Sequence, residues 1–344
     1  MTVVLIFLAA LWILGRVLRA PVRQRVVAMA AVWLASGLAL AILPVDTGLR
    51  QALGGDLRVW AAVSVLGLLG AGYFVALQRL RGKAPTASPP VTSGKFSPEE
   101  LDRYARHIML REIGGPGQKA LKAAKVLVIG AGGLGSPALL YLAAAGVGVI
   151  GVMDADTVDA SNLQRQIIHK DQGIGLPKVQ SAQEAMKALN PHVEVRPYQR
   201  RFDAEMAPVL EEYDLILDGS DNFDTRYLVN REAARAGKPL ISAAITQWEG
   251  QISLYDSAHG TPCYECIFPE RPAPGLVPTC AEAGVAAPLP GVIGAMMAME
   301  AVKHLTGAGM TLRGRLLIHD ALYAETRVIA LTKREDCAVC GVKH

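Results

Sequence analysis

Gly130, Gly132 and Gly135 form a Gly-x-Gly-x-x-Gly turn, with Gly133 inside it, between the apolar run Lys125–Ile129 (KVLVI) and a helical stretch from Ser136 to Ala145. No other feature of the chain restricts its fold as tightly. Glycines at that spacing between a strand and a helix let the backbone turn sharply and approach a phosphate, and the helix N-terminus beyond them favours an anion. A second apolar strand, Val149–Met153, ends in Asp154, about twenty residues on, where an acid can accept hydrogen bonds from a ribose. Further apolar strands at Val193–Tyr198, Leu215–Leu217 and Leu240–Ala243 alternate with helical segments. The pattern predicts an α/β fold with a Rossmann-like, mainly parallel sheet and ligands at the strand carboxyl ends. Gln251–Tyr255, Arg315–His319 and Arg327–Leu331 read as an antiparallel extension. Upstream, Ser97 and Glu100 have the spacing of a capping box and open a helix through Leu101, Tyr104 and Ile108. Taken alone, the glycine turn fits an NAD oxidoreductase as well as an ATP enzyme.

The 344 residues are uneven in composition. Val26–Leu43 and Val59–Leu77 carry no formal charge and have the length that crosses a bilayer core. The apolar run Thr2–Leu14 is shorter, but the stems of Arg16 and Arg19 beyond it can reach headgroups, so Met1–Leu18 reads as a first span. The region 1–83 is thus expected to hold about three transmembrane helices, near 1–18, 26–43 and 59–77. Arg16, Arg19, Arg23 and Arg25 follow the first run, and Arg79, Arg81 and Lys83 follow the third, so the positive-inside rule puts everything after Lys83 in the cytoplasm. The expectation is a multi-pass protein of the inner (cell) membrane with a cytoplasmic catalytic domain at 97–344. Residues 84–96, rich in proline, serine and threonine at their start, read as a flexible linker. The net charge of +4 includes the flanking arginines, and no basic run interleaved with aromatics is present, so no nucleic-acid partner is expected.

After Asp154 the chain reads DADTVDASNLQRQ, bringing Asp156, Asn162, Arg165 and Gln166 into the region where a bound nucleotide's phosphates lie; Lys178 follows in GLPK. An arginine fork and a lysine point charge suit a triphosphate better than a nicotinamide cofactor. Asp221 and Asn222 follow the strand Leu215–Leu217, and an acid at that carboxyl end can hold magnesium. Each residue also has a plainer reading: Asp218 as a helix cap, Asp156 and Asp159 as turn residues, Lys178 as a solvated charge. Their joint occurrence favours ATP.

Cys263-x-x-Cys266 and Cys337-x-x-Cys340 supply two thiol pairs, the pattern of a structural zinc knuckle. A redox pair is the alternative, and a reducing cytoplasm argues against disulfides. Four sulfur ligands leave no open position for substrate, so such a metal is structural. Cys280 is left over between Pro269 and Pro290 as a candidate nucleophile. The methionines at 296, 297 and 299 read as core.

The segments RYARHIML from Arg103, GAGGLGSP from Gly130, DADTVDASNLQRQ, GLPK, LDGSDNFDTR from Leu217, GQISLY from Gly250, CYEC, TCAEAGV from Thr279, PGVIGAMMAMEAVK from Pro290 and CAVC occur in that order. In this the chain resembles the bacterial ubiquitin-activating-enzyme-like family, which includes molybdopterin-synthase and thiamine-pathway adenylyltransferases. The resemblance runs from Ser97 to the C-terminus and leaves the N-terminal runs outside. It implies that Asp154 binds the ATP ribose, that Asn162, Arg165 and Lys178 handle the phosphates, and that Asp221 binds magnesium. It implies a homodimer in which Arg106 reaches the other subunit's site; the following residue is His107 where the family usually has glutamine. Cys280 matches a cysteine that can attack the acyl-adenylate. The implied activity is ATP-dependent adenylation of the C-terminal glycine of a small ubiquitin-like sulfur-carrier protein. The chain stops just after Cys340 with no sulfurtransferase domain, so a separate sulfur donor is expected. A peptide or RNA substrate, an NAD oxidoreductase and a non-catalytic membrane scaffold are the other readings.

Overall fold

The computed structural model describes residues 2–18, 21–44, 47–54, 56–83, 95–272 and 283–341. The chain divides into two units, Met1–Ala87 and Ser88–His344.

The first unit is helical: α1 (Thr2–Val17), α2 (Val22–Ile42), α3 (Gly48–Leu53) and α4 (Leu57–Lys83). Within it α1 packs on α2 and α2 on α4. Gly37 admits the indole of Trp60, since a Cβ there would lie 2.5 Å from the ring. Trp33 stacks on Trp60 at 5.1 Å and donates from Nε1 to Ser64 Oγ at 2.9 Å. By length and composition, Gln24–Ile42 and Gly48–Gly70 are long and apolar enough to cross a membrane, whereas the apolar part of α1, Ile6–Val17, is shorter. Two of the three expected crossings therefore meet the length requirement, and the first does not.

In the second unit the capping box forms as the sequence predicts: Glu100 N donates to Ser97 Oγ, and Ser97 N to Glu100 Oε2 at 2.8 Å, at the start of α5 (Pro98–Ile108). Residues 84–94 of the expected linker lie outside the described residues. Phe96 is docked, with its ring 6.1 Å from Tyr104 and under the Lys122 ammonium. After α6 (Gly114–Ala123) come β1 (Lys125–Ile129), α7 (Gly135–Ala145), β2 (Val149–Met153), α8 (Lys178–Leu189), β3 (Glu194–Tyr198), β4 (Leu215–Asp218) and α9 (Phe223–Arg235). Then follow β5 (Leu240–Ile245), β6 (Glu249–Tyr255), α10 (Tyr264–Ile267), α11 (Leu289–Thr306), β7 (Arg315–Asp320) and β8 (Glu325–Ala330).

These strands form one eight-stranded sheet in the order β3-β2-β1-β4-β5-β6-β7-β8. β1 to β5 run parallel and β6 to β8 add antiparallel pairs, as the alternation of strands and helices predicts. The central strands are apolar throughout because both faces are covered. On one side lies a cluster of Val126, Val128, Leu139, Leu142, Ile150, Met186 and Met297, and on the other Leu127, Ile129, Tyr213, Ile216 and Tyr227. Of the three methionines expected in the core, Met297 is fully buried and Met299 is exposed. Strand order reverses between β1 and β4, the place where an open α/β sheet forms a crevice at its carboxyl edge. There Ile129 pairs with Asp218, so the glycine turn and the loop Gly219–Asn222 emerge side by side.

Candidate nucleotide site and four-cysteine cluster

The glycine turn is built by close backbone approach. A Cβ on Gly135 would fall 1.9 Å from Gly130 O, and one on Gly130, whose φ is +95°, 2.9 Å from Gly219 O. Only glycine lets the turn close on itself and abut the β4 loop. Asp154 holds the turn from the side: its Oδ2 accepts from Ala131 N and its Oδ1 from Asp156 N, both at 2.8 Å. Among the described residues, the amides of Gly132, Gly133 and Leu134 meet no acceptor. Three unpaired amides ahead of α7 make a site suited to an anion.

Expected ligands gather around this turn. Arg165 lies against Gly133, at 3.7 Å from a Cβ built there, and donates to Asn162 Oδ1 at 2.7 Å. Gln166 is 5% exposed, approaches Gly132 with its amide nitrogen, and leaves its Oε1 buried without a partner. A buried orphan acceptor beside a glycine turn points to a donor on a ligand. Lys178 begins α8, is itself buried, and forms an ion pair with the exposed Asp156 at 2.9 Å. Its charge is thus held by one carboxylate on the solvent side. The plainer reading of Lys178 as a solvated charge does not hold.

Beside the turn, Asp218 is fully buried and accepts from Ser220 N, Ser220 Oγ and Ser242 Oγ. It does not cap α9. Asn222 is the cap, its Oδ1 accepting from Thr225 N at 2.8 Å, so that oxygen is engaged within the protein. Arg226, one turn into α9, sits 3.4 Å from Asp218 and donates to the carbonyls of Ser220 and Ala243. It ties the ends of β4 and β5 together and fixes the loop that presents Asp221. Asp221 is exposed at the carboxyl end of β4 and, among the described residues, makes no hydrogen bond or ion pair. Arg226 lay inside LDGSDNFDTR, but periodicity alone could not separate a buried arginine from a solvated helix charge.

Arg106 projects from an exposed position on α5 and pairs with none of these groups. His107 meets Gln118, which reaches Ala145 O. Cys280 lies outside the described residues. The chain on either side of it is anchored. Tyr227 donates to the carbonyls of Phe268 and Glu270, Arg271 pairs with Asp224, and beyond the gap Gln247 donates to Ala283 O. Pro290, at the start of α11, then packs 3.0 Å from the Cβ position of Gly133.

Cys263, Cys266, Cys337 and Cys340 converge, with all four sulfurs within 4.8 Å of one another. The contacts 263–266, 263–337 and 266–340 are 4.0, 3.6 and 3.4 Å. A tetrahedron of sulfurs around zinc at its usual bond length has an edge of about 3.8 Å, whereas a disulfide needs about 2.05 Å. The four-thiol set could therefore hold a metal, and no pair in it is at bonding distance. Burial pushes the Cys263 thiol up and Cys340 up to about 11. Burial also opposes ionisation of Cys337, but hydrogen bonds from the amides of Cys340 and Val339 and from the Cys263 and Cys266 thiols together lower its pKa. Ionising the whole set calls for a cation. Asn230 of α9 donates to Cys263 Sγ at 3.8 Å and accepts from Tyr264 N. One helix thus joins the cysteine cluster to Arg226 and Asn222.

Residues 104–339 match the ThiF family model. The chain is similar to the sulfur carrier protein adenylyltransferase of Thermus thermophilus, 49% identical over 252 residues, covering 72% of this chain and 93% of that one. It is equally similar to the probable adenylyltransferase/sulfurtransferase MoeZ of Mycobacterium tuberculosis, 49% identical over 254 residues, but spans only 65% of that protein's length. In fold it matches the crystal structure of E. coli MccB with a TM-score of 0.63 at 22% identity, over 73% of this chain and 75% of that one. The glycine turn, its ring of polar side chains and the four-cysteine cluster thus stand on a fold and sequence shared with these proteins: the chain belongs to the ThiF family.

Proposed function

We propose that this protein uses ATP to adenylate the C-terminal glycine of a small ubiquitin-like sulfur-carrier protein. The observation that carries the reading is the turn with three unpaired amides, bordered by Lys178 and Arg165. That arrangement suits a polyphosphate. The name of the Thermus thermophilus relative, 49% identical over 252 residues, supports the carrier as substrate.

The attacking carboxylate is already ionised at neutral pH, so no general base is required. The carboxylate oxygen bonds to the α-phosphorus as the bond to pyrophosphate breaks, giving acyl-adenylate and pyrophosphate. Asp154 orients the ribose, while Asn162, Arg165 and Lys178 draw charge from the phosphates, so catalysis is orientation plus electrostatic stabilisation. The Lys178–Asp156 pair exchanges its carboxylate partner for phosphate in this scheme. Asp221, an exposed carboxylate without a protein partner among the described residues, is a suitable ligand for magnesium, which supplies Lewis-acid stabilisation of the phosphates. Cys263, Cys266, Cys337 and Cys340 are the ligands of a structural zinc. A sulfur nucleophile, from a separate donor or from Cys280 as the candidate thiol for a covalent adduct, then bonds to the acyl carbon as AMP leaves.

Two further parts of the reading concern assembly. Arg106, exposed and without an ion-pair partner among the described residues, is proposed to serve the site of a second copy in a homodimer. The first unit is proposed as a multi-pass membrane region that crosses at Gln24–Ile42 and Gly48–Gly70, with the second unit cytoplasmic. Its apolar side chains are outward-facing, with 17% of the Gln24–Ile42 window and 0% of the Gly48–Gly70 window buried, the reverse of a soluble core helix.

Carrier-dependent exchange of labelled pyrophosphate into ATP tests the central claim. Absence of exchange with every small Gly-Gly-ending protein of the same genome removes it, and a trapped adenylated peptide or RNA replaces the carrier. Binding of NAD together with indifference to Asp221→Ala would favour an oxidoreductase. Mixing Arg106→Ala with Asp221→Ala subunits should restore activity if the sites are shared. Alkaline carbonate should leave the chain in the membrane pellet.

A further inference from the structure

His169 lies under the glycine turn, 6% exposed. Its Nε2 is 2.9 Å from the carbonyl of Ala131 and its Nδ1 3.0 Å from Ser181 Oγ on α8. A carbonyl only accepts, so Nε2 carries the proton, and in the neutral ring Nδ1 then accepts from the serine hydroxyl. The Ala131 carbonyl and the Gly132 amide belong to one planar trans peptide and point in opposite directions. Holding that carbonyl towards His169 therefore turns the Gly132 amide, which has no acceptor among the described residues, towards the ligand side. Glycine at 132 places no side chain on that peptide to resist a flip. The preceding peptide is held by Asp154 through Ala131 N.

The contacts close into a circuit. From Asp154 it passes to Asp156, whose carboxylate and carbonyl hold the ammonium and amide of Lys178. Along α8 it reaches Ser181, and through His169 it returns to Ala131.

We propose that His169 is a positioning residue for adenylation: it sets the phosphate-facing amide of Gly132 and couples the glycine turn to the helix that carries Lys178. This rests on the reading of the site as an ATP site. Burial pushes the His169 pKa down, the bond to Ala131 opposes that, and of the facing charges Lys178 lowers it further and Asp154 raises it. The neutral ring is thus the favoured form, and both contacts suit it.

The test uses the full chain in detergent micelles with His169→Leu, His169→Gln and Ser181→Ala. ATP dissociation constants by equilibrium dialysis, KM for ATP and for the carrier in pyrophosphate exchange, and melting temperatures are measured together. Losing one buried hydrogen bond that orients an amide predicts about a tenfold rise in KM and Kd for ATP in His169→Leu. The carrier KM stays unchanged. His169→Gln, whose amide can donate to Ala131 O, should stay within about twofold of wild type, and Ser181→Ala should fall between. An unchanged ATP KM with only a lowered melting temperature, a parallel rise in the carrier KM, or no rescue by glutamine overturns the proposal. Should His169→Leu fail to fold, Ser181→Ala decides, and an unchanged ATP KM there overturns it. A wild type that neither binds ATP nor exchanges pyrophosphate overturns the ATP reading and this inference with it. Binding with indifferent variants overturns this inference alone.

Discussion

Replacing Arg226 by methionine isolates the pair that holds the β4 loop. Arg226 is 6% exposed and Asp218 fully buried, and the guanidinium also serves the carbonyls of Ser220 and Ala243. Methionine fills much of the space, so the cavity contribution is small. What remains is a buried carboxylate with serine hydroxyls but no countercharge, which costs about 3–5 kcal/mol. At roughly 2–4 °C per kcal/mol for a unit of this size, melting falls by about 6–20 °C. Adding Asp218→Asn removes the stranded charge and should recover roughly half of the loss. The assay is calorimetric melting of the full chain in micelles, with pyrophosphate exchange measured well below the transition. Exchange should fall in Arg226→Met even where the protein is folded, because the carbonyl tie that fixes Gly219–Asn222 is gone. A drop of less than about 3 °C, or a double variant no more stable than the single one, would refute the reasoning.

Three further outcomes follow from the geometry. Cys337→Ser should lower bound metal from about one per chain towards zero by atomic emission, and a chelator should lower the melting temperature of wild type but not of the variant. Gly135→Ala places a methyl 1.9 Å from Gly130 O, so the turn must open; ATP binding should be lost, and tight binding by a folded variant would contradict the site. Because burial holds the His169 pKa below the ordinary 6.5, the unfolded chain binds this proton more readily than the folded one. Stability from this group is complete above pH 6.5 and lost as pH falls through the folded value. His169→Gln should flatten the acid limb of a plot of melting temperature against pH, and an unaltered limb would count against a buried neutral ring.

Much of the fold was legible because its signals are local. Four apolar residues, Val126 to Ile129, followed by a glycine turn announce a strand and the start of a helix from a dozen consecutive positions. The capping box of Ser97 and Glu100 and the antiparallel strands from Glu249 onward were readable for the same reason. The role of Asn222 as the cap in place of Asp218 was not, since both are good capping residues four positions apart and only the chain path separates them. Arg226, His169 and Ser181 were missed because their partners lie on other strands and helices or in intervening loops. Nothing in their neighbours records that burial.

The sequence by itself determined the α/β alternation, the phosphate-seeking turn, the four-thiol pattern and the apolar character of the first 83 residues. Each depends on periodicity, on the absence of a Cβ, or on composition, and these properties exist before the chain folds. Only the tertiary structure decided that Asp218 is a buried structural anion while Asp221 is the available one. It also joined the turn, Asp154, Lys178 and His169 into one circuit. Charges acquire roles from burial and from the groups that satisfy them, and both are fixed only when distant segments pack together.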